Sequence, residues 1–299
     1  MDQNDLALMS DDRIVAQFLL QYHRIWQRHF GDLIKRAHWH AIFAARCNPV
    51  DGASCRSLHR VLYGAYGTDI RTCIERIKEC EAEGFLRIVD AARQPCAVTA
   101  TCQILPTQKL RDSFDRHCRE TIAGVWRVFG EPASGGDAAI ACGDDAVSAI
   151  FDFFGAYDRK WREAGDVVVR KKGLTIAHVE DAMNHLVTYQ YWAIVMLLWA
   201  TGASGGTENG SAVLVVDEII SKMWDALKLG HLAIKERVGN LLRWGFFAEH
   251  TVKKRKAVSL TPVAAEAMGK SLAQSMPALR ELHRKLAPAD VETRAVQPV

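Results

Sequence analysis

KERVGNLLRWGFFAEHTVKKRKAVSLT, residues 235–261, divides into a helix, a turn and a hairpin on the spacing of its apolar positions. Val238, Leu241 and Leu242 recur at a helical rather than a strand period, with Glu236, Arg237, Asn240 and Arg243 on the polar side. Gly245 follows the last periodic residue, where a left-handed C-terminal cap costs glycine least. Phe246–His250 and Ala257–Leu260 read as strands, and Lys253, Lys254, Arg255 and Lys256 fall between them. The stretch predicts a short helix, a sharp turn and a hairpin with a cationic tip.

The same order occurs earlier in the chain. Glu75-Arg76-Ile77 and Gly84-Phe85-Leu86 match Glu236-Arg237-Val238 and Gly245-Phe246-Phe247 at a constant offset of 161. Thr99–Thr107 (TATCQILPT) takes the place of Ala257–Pro262 (AVSLTP). Around this earlier copy, apolar spacing predicts one long helix from Ile14 to Arg46, or two broken near Gly31, and a helix over Ser54–Tyr63. Thr68 is the expected cap of the next helix, Phe85–Asp90 and Ala97–Leu105 the paired strands, and Pro106 the start of a helix to Phe129. Farther on, Ala146–Arg162 is expected as a helix and VVVRKK (167–172) as a short strand or linker. Thr175–Thr201 reads as one long apolar helix, and Ser211–Leu229 as another. EPASGGDAAIACGD (131–144) and GASGGTENGS (202–211) have linker composition. The predicted organisation is a first domain over 13–130, a linker with a helix over 131–173, a second domain over 174–287 and a flexible tail over 288–299. A period this long indicates two copies of one domain and not a solenoid.

Composition narrows the function classes. A chain of 299 residues, 49% hydrophobic and 24% charged, has room for two cores of ordinary size. Its net charge of +3 is too small to identify a nucleic-acid binder, so the local cluster at 253–256 is more informative than the total. MDQNDLALMSDD has neither the basic start nor the apolar core of a secretory signal, and Tyr191–Ala200 is about half a membrane span. A cytoplasmic protein without a membrane segment is expected. The eight cysteines form no CxxC pair and are expected as free, mostly buried thiols. His38 and His40, two residues apart, do not share a helix face and make a poor metal pair. With no phosphate loop, nucleophile elbow or metalloprotease motif, neither catalysis nor a cofactor is expected.

A helix followed by a hairpin with a cationic tip is the layout of a winged helix-turn-helix. The closing LLRWGFF, the basic hairpin and the following SLTPVAAEAM resemble the MarR group of bacterial winged-helix regulators, closely over 175–287 and more loosely over 14–129. The family's usual Asp-x-Arg wing tip is replaced by four cations, and the first copy's wing holds only Arg93. The resemblance implies a mainly α fold with small β-hairpins. Its tandem winged helix-turn-helix domains would stand on a pseudo-dimer platform of helices 14–46, 106–129, 175–201 and 262–287. It further implies a transcriptional regulator whose partner is double-stranded DNA, with small aromatic effectors and further homo-dimerisation as additional expectations. On this reading Lys253, Lys254, Arg255 and Lys256 contact phosphates, and Lys235, Arg237, Asn240 and Arg243 face base edges or flanking phosphates. Thr68, Arg71, Arg76 and Arg93 are their counterparts in the first copy, while Glu75 and Glu236 oppose phosphate. The alternative is a winged-helix module for protein interaction or ligand sensing. In that case Trp126, Trp161, Tyr189, Tyr191, Trp192 and Trp199 would line an apolar pocket.

Overall fold

Gly31, at φ 58°, ends the first helix, α1 (Asp11–Phe30), and the chain turns into α2 (Arg36–Cys47). The computed structural model describes residues 10–33, 35–66, 68–130, 143–186, 189–201, 213–227 and 230–286. Residues 131–142 of the expected linker, with Cys142, the loop 202–211 and the tail 288–299 lie outside those residues, as does the side chain of Tyr189. Next come β1 (Ala53–Ser54), α3 (Cys55–Tyr66), α4 (Ile70–Ala82), β2 (Leu86–Val89), β3 (Gln103–Pro106) and α5 (Gln108–Phe129). The second half holds α6 (Asp144–Lys171), α7 (Ile176–Leu186), α8 (Tyr189–Thr201), β4 (Leu214–Val215), α9 (Val216–Leu227) and α10 (His231–Arg243). It closes with β5 (Phe247–Val252), β6 (Arg255–Leu260), α11 (Pro262–Ala273) and α12 (Met276–Leu286). The protein is thus mainly helical, with two small antiparallel sheets of three strands each, ordered β1-β3-β2 and β4-β6-β5.

Contacts divide the chain into two compact units. One comprises Trp26–Glu120 and Ile140–Phe151; the other comprises Met1–Ile25, Thr121–Ala139 and Asp152–Val299. In the Trp26–Glu120 unit, Trp26, Phe30, Phe43 and Phe114 fill the core, with Phe43 and Phe114 edge-to-face at 4.9 Å. In the other, Trp161 and Trp192 pack at 4.6 Å and Trp192 meets Tyr157 edge-to-face at 4.7 Å. Trp161, Tyr191, Trp192 and Trp199 are thereby buried in packing, and Trp126 is half-buried.

The repeat extends to element boundaries. Ala53–Ser54, Cys55–Tyr66 and Ile70–Ala82 recur as Leu214–Val215, Val216–Leu227 and His231–Arg243, each shifted by 161. The buried stripe of α4, Cys73, Ile77 and Cys80, is matched on α10 by Ile234, Val238 and Leu241. Burying each larger apolar side chain of such a stripe is worth about 2 kcal/mol, which fixes which helix face turns inward. Both helices end in the same cap. Gly84 (φ 74°) donates to Glu81 O and Phe85 to Cys80 O, while Gly245 (φ 84°) donates to Leu242 O and Phe246 to Leu241 O. This is a Schellman motif, whose left-handed residue avoids a Cβ penalty only as glycine. A threonine then staples each sheet to its cap. Thr107 Oγ1 donates to Gly84 O at 2.7 Å and accepts from Leu110 N, and Thr261 Oγ1 donates to Gly245 O at 2.8 Å and accepts from Ala264 N.

Several expectations are corrected. Asp69, not Thr68, caps α4: its carboxylate accepts from Thr72 N and Thr72 Oγ1, and those bonds hold its pKa below the usual range. Pro106 ends β3, and α5 starts behind Thr107. VVVRKK continues α6 except for Lys172 in the following turn, with Val168 and Val169 buried on the helix's inner side. Of the helix expected over 175–201, Ile176–Leu186 and Tyr189–Thr201 are helical, and residues 187–188 lie outside the described residues. Cys118 is disulfide-bonded, whereas Cys55, Cys73, Cys80, Cys96 and Cys102 are free thiols. Among the described residues no helix is long and apolar enough to cross a membrane.

Candidate nucleic-acid interface

Along α10 the exposed positions are His231, Leu232, Lys235, Glu236, Gly239 and Arg243, the face opposite the Ile234–Val238–Leu241 stripe. Lys235 and Arg243 therefore point outward. Arg237 and Asn240 do not. Arg237 Nη1 donates to Ala233 O at 2.7 Å with its guanidinium 5.8 Å from the Tyr191 ring, and Asn240 Nδ2 donates to Tyr191 Oη at 2.9 Å. Both sit on the flank of α10 that packs on α8, so Arg237 Nη1 and Asn240 Nδ2 are spent within the fold.

The hairpin after Gly245 is tighter than the sequence suggests. Val252 pairs directly with Arg255, leaving Lys253 and Lys254 as a two-residue turn. Their φ values are 49° and 63°. A two-residue turn with both central residues at positive φ is the type that suits strand twist, but its favoured sequence is Asn-Gly. Two lysines there each cost about 1–2 kcal/mol of left-handed backbone relative to glycine. Arg255 and Lys256 belong to β6, and Lys256 Nζ lies 2.7 Å from a Glu249 carboxylate oxygen. Lys253, Lys254 and Arg255 are the exposed cations at the tip.

In the Trp26–Glu120 unit, Arg71 is exposed on α4 and 3.4 Å from Glu75. Arg76 turns inward: it pairs with Glu79 and approaches Glu75 at 3.7 Å, with 16% of its side chain exposed. Glu79 also accepts from His38 Nε2 at 2.5 Å, while His38 Nδ1 accepts from Lys35 N. These two bonds fix the neutral Nε2–H tautomer, and burial, outweighing the Glu79 contact, lowers the His38 pKa to about 4. Thr68 is half-buried just ahead of the cap. Arg93 sits at φ 60° in the bend after β2, with Nη2 donating to Val50 O at 2.9 Å.

Two outward cations escaped the sequence reading: Arg56 and Arg60 lie one turn apart on the exposed face of α3. Their signal was the i, i+4 spacing of Arg56 and Arg60. Lys78, expected on the outward side of its helix but not as a site residue, is exposed on α4 beside Arg71 and Glu75. In the second copy the positions of Arg56 and Ser57 are exposed Asp217 and Glu218. Tyr63 and Trp224 occupy equivalent places, 61% and 52% exposed. The cationic groups are thus distributed differently in the two copies: α3 carries Arg56 and Arg60 where α9 has acidic residues, and the tight cationic hairpin tip belongs to the second copy. No family model, curated protein or solved structure matches the chain.

Proposed function

We propose that the chain is a cytoplasmic DNA-binding transcriptional regulator of MarR-like type, with two winged helix-turn-helix domains in tandem. The order strand, helix, helix, hairpin, with the first strand paired to the last, occurs twice and supports the winged-helix reading. The observation that carries the DNA reading is the left-handed Lys253–Lys254 turn. A strained backbone conformation kept at an exposed tip by two cations favours a role for their charge over one for the turn, because glycine would relieve the strain. In this reading Lys253, Lys254 and Arg255 hold phosphates, and Lys235 and Arg243 approach the groove. Arg56, Arg60, Arg71 and Lys78 serve the first copy, with α4 and α10 as the recognition helices. Lys256, Arg76, Arg237 and Asn240 hold these elements in shape.

Replacing Lys253–Lys256 by alanine is expected to weaken binding to duplex DNA and to flatten its dependence on salt. A gel-shift titration at several salt concentrations checks this, and unchanged binding removes the wing from the interface. One observation favours a second reading, an interaction module. The head built from α9 and α10 exposes Leu232 (81%) and Trp224 (52%) among Asp217, Glu218, Asp225 and Glu236. Failure to enrich any duplex from a random pool at low salt selects that reading.

A further inference from the structure

Equivalent helices of the two copies carry opposite charge. At the shared offset of 161, Arg56, Ser57 and Gly64 of α3 stand where α9 has Asp217, Glu218 and Asp225, and all six positions are exposed. Among the described residues, the exposed charges of α3 are Arg56 and Arg60 with no acid beside them. Those of α9 are three carboxylates against Lys222. The following helices do not repeat the contrast: α4 exposes Arg71 and Lys78 with Glu75, and α10 exposes Lys235 and Arg243 with Glu236. Each charged face also ends in an aromatic ring at the same place. Arg56, Arg60 and Tyr63 fall at i, i+4 and i+7 along one stripe of α3, and Asp217, Ser221 and Trp224 mark the equivalent stripe of α9. Tyr63 is 61% and Trp224 52% exposed; Val61 beside the first and Leu232 at the start of α10 are exposed as well.

We propose that the α3 face of one molecule docks on the α9 face of a second copy of this chain, in a head-to-tail contact between unlike halves. Charge selects the occupant. Two α3 faces brought together set arginines against arginines, and two α9 faces set carboxylates against carboxylates. Only the crossed pairing places Arg56 and Arg60 against Asp217, Glu218 and Asp225. Like charges facing across an interface suppress the symmetric pairings, so the same residues that attract the unlike face reject the like one. The aromatic tips supply the apolar part of the contact. Tryptophan, tyrosine and arginine are the side chains on which binding energy concentrates, and both faces consist largely of them. An arginine of α3 is also suited to lie over the ring of Trp224 in the second copy.

Every molecule carries both faces, so the contact is heterologous: it continues from copy to copy until a ring closes or the supply of faces ends. The charges lie at the surface, and salt should therefore weaken the contact. The proposal rests on neither reading given above, because both faces are exposed whichever of them holds. Where the DNA reading holds, Arg56 and Arg60 cannot grip phosphates and the carboxylates of a second copy at once, so duplex and association compete for the α3 face.

The test uses the full chain and no nucleic acid, so its outcome is separate from that of the DNA reading. Sedimentation velocity over a concentration series, at low and high salt, should show the wild-type chain associating and the association receding as salt rises. Two charge reversals, R56E/R60E and D217K/E218K, each spoil one face and should each raise the dissociation constant about tenfold or more. Mixing the two variants in equal amounts should restore association, because every contact between unlike variants again sets one sign against the other. A wild-type chain whose sedimentation ignores both concentration and salt overturns the proposal. So does association that survives both reversals, or folded variants that stay apart when mixed. Should a reversal fail to fold by circular dichroism, R56Q/R60Q and W224A take its place; each should weaken association, and an undiminished value in both is equally fatal.

Discussion

Lys253 and Lys254 pose a problem that single residues can answer. At φ 49° and 63° they hold a backbone shape that glycine or asparagine adopts at far lower cost. Replacing the first by asparagine and the second by glycine in one double variant (K253N/K254G) is expected to stabilise the fold by about 1–2 kcal/mol, since the strain disappears and no contact is lost. The same variant should bind duplex DNA more weakly. Urea denaturation and gel shifts on one preparation check both, and a variant that gains nothing in stability would falsify the strain argument. Buried histidines make a second residue-scale prediction. Burial lowers the pKa of His23 and His117 to about 3 and that of His38 to about 4, from an ordinary 6.5. The unfolded chain therefore takes up these protons near pH 6.5 while the folded one refuses them. Stability is complete above pH 6.5 and falls as the pH drops toward 4 and below, each histidine costing about 1–2 kcal/mol by pH 5. Urea midpoints at pH 7.5 and 5.0 should differ accordingly, and His38→Gln should remove one share of the difference.

At the scale of elements, the two copies share their helix boundaries, their caps and their threonine staples, but not what surrounds the caps. Around Gly84 the nearest heavy atom to an added Cβ is Lys109 Cδ at 3.8 Å, whereas at Gly245 the stem of Lys172 lies at 3.0–3.2 Å. Gly84→Ala should thus cost only the left-handed backbone penalty, about 1–2 kcal/mol, and Gly245→Ala should cost more, because Lys172 must also move. Equal losses in thermal unfolding would show that the lysine stem gives way freely. Both glycine caps were legible in the sequence because they end a helical period at a residue with one physical role. Other features were not. Arg237 and Asn240 sit on the polar side of their own helix, and only the position of Tyr191 on α8 shows that this flank is packed. The three valines of VVVRKK have strand propensity, yet burial of Val168 and Val169 along α6 overrides it. The turn at Lys253–Lys254 depends on the pairing of Val252 with Arg255, a cross-strand fact that four consecutive cations do not disclose.

Across the whole molecule, the charges argue that the two heads of the proposed DNA-binding protein are not equivalent. The copy containing α3 and α4 exposes Arg56, Arg60, Arg71 and Lys78 on its helices, and its hairpin adds exposed Arg87 on β2 and Arg93, which is tied to Val50. The copy containing α9 and α10 places Asp217, Glu218, Asp225 and Glu236 among its helical cations and carries its positive charge on the hairpin. A carboxylate facing the backbone of DNA repels phosphate, so the second copy should depend on its wing and the first on its helices. Each phosphate contact contributes about 0.9 to the slope of log affinity against log salt. Alanine at Lys253, Lys254 and Arg255 should therefore lower the slope by about 2–3, and alanine at Lys256, already held by Glu249, should lower it little. Alanine at Arg56, Arg60 and Arg71 should lower it by a comparable amount if both copies engage one duplex. Should only the wing set matter, the first copy does not touch DNA. If both sets matter, the selected duplex should lack two-fold symmetry, because heads that grip through different elements cannot read the same half-site.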